Sequence, residues 1–220
     1  MEELIRTLAI WAIPVVFAIT LHEAAHGYVA RYFGDDTAWR LGRISLNPIR
    51  HIDLMGTIIV PTLILVLGKL LGAGGILFGW AKPVPVDFAR LHRPKQDMLW
   101  VAAAGPFANL LMAFAWATLI KILWDFPPDS FSEPLFEMAK AGISINVALM
   151  ALNLLPLPPL DGGRIVVSLL PIRAAIRFSQ LERWGFPILL VLLFTGMLSP
   201  ILMVPMRSIH AFIAFVFQFN

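Results

Sequence analysis

Leu21-His22-Glu23-Ala24-Ala25-His26-Gly27 closes an apolar run that begins near Leu4. Two imidazoles and a carboxylate stand where hydrocarbon is expected, and ionisable groups inside a spanning segment mark a functional site. In a helix the i, i+4 spacing stacks His22 and His26 one turn apart on one face. Both ring nitrogens can then reach one zinc ion, with Glu23 beside the position left open for water. One turn of helix thus assembles two ligands and a base, which is the pattern of a zinc hydrolase set inside a membrane. The competing reading is a structural or transport metal site, because histidines and acids also line ion pathways.

Composition agrees with a membrane setting. Hydrophobic residues make up 59% of the 220-residue chain and charged residues 14%, and several apolar runs approach the length of a bilayer crossing. The expectation is an all-α polytopic membrane protein forming a single membrane-embedded domain over residues 1–220, multi-pass, in the cell membrane if the source is prokaryotic. There are no cysteines, so any zinc must use His, Asp or Glu. The net charge of +3 is better explained by topology than by a nucleic-acid partner. An opening with Glu2 and Glu3 does not read as a cleavable signal peptide.

Residues 4–32 read as the first spanning helix, stopped at Gly34-Asp35-Asp36. Residues 39–46 alternate apolar and polar side chains, which predicts a small membrane-associated β element near the active site. Residues 55–71 are apolar with Pro61 inside, and two prolines exclude a helix at 79–86. Further helices are expected at 98–124, 139–155, 185–198 and 200–219, the last two forming a C-terminal unit over about 184–219. The total is about five to six transmembrane or re-entrant helices. Letting 55–78 enter and return to one side places most Lys and Arg together, so the positive-inside rule favours that topology, with the N-terminus outside the cytoplasm.

Asp161 follows a helix-breaking stretch and precedes Gly162-Gly163. An acid in an apolar region needs a partner, and the metal held by His22 and His26 supplies one. The prolines unwind the chain and the glycines permit close backbone approach, so Asp161 can be presented sideways to zinc. Two His and one carboxylate leave the fourth position open, as in catalytic sites.

His22-Glu23-Ala24-Ala25-His26, then Gly105-Pro106-Phe107-Ala108-Asn109, then Asn153-Leu154-Leu155-Pro156-Leu157-Pro158-Pro159-Leu160-Asp161-Gly162-Gly163 together resemble the site-2 protease family of intramembrane zinc proteases. The likeness covers a catalytic core of about 4–170. It is similar to the compact branch without PDZ or CBS domains, as is the run Asn47-Pro48-Ile49-Arg50-His51-Ile52-Asp53 with Gly56-Thr57. The resemblance implies one Zn2+ per chain on His22, His26 and Asp161, with Glu23 as general base and Asn153 on the substrate. It also implies cleavage of transmembrane segments of membrane-protein substrates.

A transmembrane substrate must unwind locally before its peptide bonds can be reached. An exposed backbone edge at 43–46 or 82–86 could pair with it, which makes Ser45 and Val84 candidate substrate contacts. The bland alternative is that these segments only fill space between helices. Asn109 is expected either to bond a neighbouring helix or to meet substrate. Asn146 lies about two turns before Asn153 and would face the same cavity. His51 could approach the site or sit at the interface, and His92 and His210 read as interfacial. The expected function is regulated intramembrane proteolysis by a zinc endopeptidase surrounded by lipid. A metal-binding transporter or inactive scaffold is the alternative from another class, and the oligomeric state is left open.

Overall fold

The computed structural model describes residues 2–60, 63, 66, 79, 81–127 and 132–219. Helix α1 (Glu2–Tyr32) carries the histidine motif in its last third and tolerates Pro14 inside it, as apolar spanning helices do where neighbours cover the freed carbonyl. It ends because Gly34 turns to φ 103°, and a Cβ there would also lie 2.5 Å from His92 Nε2. Only glycine meets both conditions. Helix α2 (Thr37–Arg40) follows at once, and two short turns at Pro48–His51 and Leu54–Ile59 lead out of the loop.

Helix α3 (Pro94–Leu123) begins with Pro94 in its first turn, a position whose missing N–H costs nothing. The Asp97 carboxylate reaches back one turn to accept the Arg93 N–H at 2.6 Å. Helix α4 (Ser132–Asn153) returns beside it. Then come α5 (Asp161–Leu169), α6 (Ile172–Ser179), α7 (Glu182–Phe194) and α8 (Leu198–Phe217).

α1, α3 and α4 pack on one another, and α5 lies against α3. Their contact is built from small residues: Ala113 and Ala117 of α3 and Ala139 of α4 are fully buried beside Ile120, Ile143 and Val147. Small side chains let spanning helices approach closely, which is where dispersion contacts stabilise a bundle in lipid. A Cβ on Gly142 would stand 2.4 Å from the Trp116 ring, so glycine is required at that crossing.

Four helices are long and apolar enough to cross a membrane: Ala9–Tyr32, Pro94–Leu123, Ser132–Asn153 and Leu198–Phe217. The expected five to six transmembrane or re-entrant helices are not reached among the described residues. α7 has 13 residues and rises only about 20 Å, short of a hydrocarbon core of about 30 Å. Most of the expected re-entrant piece at 61–78 lies outside the described residues. The helix expected to begin at 139 starts at Ser132 instead, where Glu133 and Pro134 form an ordinary helix start.

The expected β element is also corrected. There is no strand among the described residues. Residues 37–40 are helical because Asp35 Oδ1 accepts the Thr37 N–H at 3.0 Å and Arg40 bonds Asp36 one turn back at 2.6 Å. That hydrogen bond from Arg40 holds the half-buried Asp36 carboxyl below the usual carboxylate range, so the brace is ionic at neutral pH. Residues 43–46 and 82–86 do come together, but by side chains rather than a ladder. Arg43 Nη2 donates to Lys82 O at 2.9 Å and more weakly to Pro83 O at 3.4 Å, and His51 Nε2 donates to Ser45 O at 2.8 Å.

Candidate metal centre

His22 and His26 project from one face of α1, as their spacing requires, and Asp161 is the first residue of α5. His22 Nε2 and His26 Nε2 are 3.1 Å apart. Asp161 Oδ2 lies 3.2 Å from the first and 3.4 Å from the second. His22 and Asp161 are buried, and all three side chains belong to one group able to hold a metal ion.

The outer nitrogens of both rings are committed. Asn109 Nδ2 donates to Ala18 O at 3.3 Å and to Asn146 Oδ1 at 2.9 Å, which fixes the orientation of that amide. Its Oδ1 therefore accepts, and His22 Nδ1–H donates to it at 2.5 Å. His26 Nδ1–H donates to Val101 O at 2.7 Å. Each neutral ring then presents a bare lone pair on Nε2, and both lone pairs converge with a carboxylate oxygen that has no hydrogen-bond partner among the described residues. Three acceptors facing one point form a group that could hold a cation between them.

The spacing fits zinc. Ligand atoms about 2.0–2.1 Å from a tetrahedral zinc stand about 3.3–3.4 Å from one another, and the observed sides are 3.1, 3.2 and 3.4 Å. Ligating histidines held through Nδ1 by carbonyl oxygens are the usual outer support of such a site. Gly105 of α3 makes room for it. A Cβ there would fall 2.4 Å from His26 Nε2 and 2.6 Å from His22 Nε2.

The approach of Asp161 depends on its two glycines. A Cβ on Gly162 would stand 2.3 Å from Leu154 O, and one on Gly163 2.2 Å from Pro158 N. Without side chains α5 can start directly against the loop that ends α4, which turns Asp161 toward the histidines.

Glu23, next to His22, points to a different partner. Its Oε2 accepts the backbone N–H of Val84 at 2.8 Å, so the structure brings Val84 to this carboxylate through its amide. Ser45 stays on the outer loop, where its Oγ accepts the Asn47 N–H at 3.1 Å. Asn153 ends α4 with Nδ2 bonded to Leu149 O at 3.0 Å. Asn146 is fully buried beside Asn109, and its Nδ2 donates to Gly142 O at 2.8 Å. His51 is 2% exposed and belongs to the loop packed on α1, whereas His92 is exposed. Sequence reading named Asn109 but missed Val101 O and the clearance at Gly105. A backbone carbonyl leaves no trace in side-chain pattern, while Gly105-Pro106 inside an apolar helix was a visible signal.

A histidine pair on an apolar helix able to span the membrane, completed by a carboxylate from the short α5, has the donor set of a helical membrane metallohydrolase. Residues 127–196, which contain Asp161, match the family model described as Peptidase family M50. The chain is 40% identical over 193 residues to a Bacillus subtilis protein named "Putative zinc metalloprotease YwhC", covering 86% of this chain and 82% of that one. It is 30% identical over 190 residues to "Putative zinc metalloprotease Rip2" of Mycolicibacterium smegmatis, covering 84% and 66%. A third relative, "Putative zinc metalloprotease MJ0611" of Methanocaldococcus jannaschii, is 30% identical over 159 residues, covering 70% and 67%. No solved structure matches the chain. The chain belongs to peptidase family M50, the site-2 protease family, and is a membrane metalloprotease.

Proposed function

We propose that this protein is a zinc endopeptidase that cuts the transmembrane segments of other membrane proteins within the bilayer, in regulated intramembrane proteolysis. The observation that carries the reading is the convergence of His22 Nε2, His26 Nε2 and Asp161 Oδ2 inside and beside a helix able to cross the membrane. These three residues hold one zinc ion per chain. When bound, zinc supplies Lewis-acid polarisation of the scissile carbonyl and acidifies the attacking water.

The remaining work falls to the chain's own groups. Glu23 keeps Oε2 on the Val84 N–H, and its other oxygen takes the proton from water and returns it to the leaving amine nitrogen. Asn109 and the Val101 carbonyl hold the two imidazoles in the tautomer that binds metal, and Asn146 holds Asn109. Asn153, at the open end of α4, binds the backbone of an unwound substrate, and Ser45 lies on the loop along which that substrate extends. Closely packed α1, α3 and α4 limit access of bulk water to the site.

The test uses the full-length protein in lipid vesicles with a reporter carrying one tagged transmembrane segment. Mass spectrometry of the products is expected to place the cut inside the segment, dependent on zinc and lost in Glu23→Gln. A cut confined to flanking loops, or one indifferent to Glu23→Gln, would overturn the reading.

A further inference from the structure

The segment 82–86 lies against α1 beside Glu23, and its amide protons from 82 to 85 are all accounted for. The Lys82 N–H donates to His51 O at 2.9 Å, the Val84 N–H donates to Glu23 Oε2 at 2.8 Å, and Pro83 and Pro85 have none. From 82 to 85 the segment offers a visiting strand only carbonyl oxygens. Two of those, Lys82 O and Pro83 O, already accept from Arg43 Nη2 at 2.9 and 3.4 Å. Four successive residues with no free donor make 82–85 a poor strand template, because ladder pairing needs donors and acceptors in alternation.

Its contacts suit a different task. Val84 is 6% exposed. Together with Ile44 it rests on Gly27, where a Cβ would stand 2.7 Å from Ile44 Cγ1 and 3.2 Å from Val84 Cγ1. Farther along, the Asp87 N–H is held by the buried Asp35 Oδ2 at 2.6 Å. The strap is therefore pinned to α1 at Glu23 and Gly27, and the residue after it, Asp87, is held by Asp35 just beyond the end of α1. Arg43 grips it at the two carbonyls immediately before the amide that meets Glu23.

We propose that Arg43 is a positioning residue for Glu23, acting through the 82–86 strap, and that the strap supports the base rather than pairing with substrate. The proposal rests on the reading of Glu23 as the proton carrier. The hydrogen bonds of Arg43 go to Lys82 O and Pro83 O and to none of His22, His26 and Asp161. It fixes the peptide planes of Lys82 and Pro83, so the Val84 N–H stays aimed at Oε2 and the carboxylate keeps one rotamer. Displacement of a reacting group by about 1 Å costs up to about a hundredfold in rate. Lysine at position 43 can reach one carbonyl but lacks the planar fork that serves two.

The test compares wild type, Arg43→Ala, Arg43→Lys and Arg50→Ala in vesicles, reading kcat, KM, zinc per chain and hydrogen exchange at the Val84 amide. Arg50 donates to Gly42 O in the same loop and does not touch the strap, so its removal controls for loop damage. Expected for Arg43→Ala are a kcat lower by about ten- to a hundredfold, an unchanged KM, wild-type zinc content and faster Val84 exchange. Arg43→Lys should recover part of kcat, and Arg50→Ala should behave as wild type. A raised KM at unchanged kcat would overturn the proposal in favour of substrate pairing, and equal losses in Arg43→Ala and Arg50→Ala would overturn it in favour of general loop support. If the wild type does not cleave, the reading of Glu23 fails, and Val84 exchange then decides the Arg43 link alone: protection independent of Arg43 would end it.

Discussion

His22 Nδ1 and Asn109 Oδ1 stand 2.5 Å apart, joining residues 87 positions distant in the chain. This bond selects the ring tautomer that leaves Nε2 free for metal. Asn109→Ala is expected to weaken zinc binding by about 10–100-fold, the range found when an outer partner of a ligating histidine is removed. Asn109→Asp keeps an acceptor and should bind zinc more tightly than Asn109→Ala. Chelator competition measures both, and equal affinity for the two variants would contradict the tautomer argument.

Glu23 and Asp161 should separate chemistry from binding. Glu23→Gln keeps an oxygen for the Val84 N–H but cannot move a proton, so zinc stays at one per chain while cleavage falls by about 10²–10⁴-fold. Asp161→Ala removes a ligand and should lose both zinc and activity. Metal analysis of the purified variants beside a cleavage assay checks the pair.

Gly105→Ala places a methyl group 2.4–2.6 Å from both His26 Nε2 and His22 Nε2. α3 must then retreat from α1 or the rings must turn. The expected cost is about 1–3 kcal/mol of stability, together with loss of zinc at concentrations that saturate the wild type. Thermal unfolding in detergent with metal analysis reads both, and normal zinc content would show that the helices can part without cost.

Zinc removal should destabilise the protein as well as silence it, because ligands converge only in the folded state. With zinc at about a hundred times its Kd, stripping it costs about 2.7 kcal/mol and lowers Tm by about 5–10 °C for a chain of this length. Restored zinc should restore both, and the Asp161→Ala protein should show no zinc-dependent shift.

The helices were legible where their signals are local. α1 ends where Gly34 announces and α3 ends one residue from the expected place, but α3 begins at Pro94 rather than at 98. α4 begins at Ser132, a turn and more before the apolar run at 139, because Glu133 and Pro134 suit a first helical turn. The strand expected at 39–46 failed for a physical reason. Alternating polarity describes which side chains are buried, but pairing needs a partner with free backbone groups. Lys82 and Val84 give their amide protons elsewhere, and Arg43 occupies the nearby carbonyls.

Helical periodicity and residue chemistry alone were enough to establish a membrane protein with His22, Glu23 and His26 on one helical turn, because i, i+4 neighbours meet whatever the rest of the chain does. Asp161 was legible as a partner because an acid between a proline-rich break and two glycines has few other uses in an apolar chain. Folding decided the rest. Asn109 on His22, Val101 O on His26, Gly105 beneath both rings and Val84 N–H on Glu23 are meetings between segments 61 to 87 residues apart. They depend on the packing of α1 against α3 and on the path of the 82–86 strap. Such contacts follow from the sum of helix packing rather than from any local pattern, so only the three-dimensional structure reveals them.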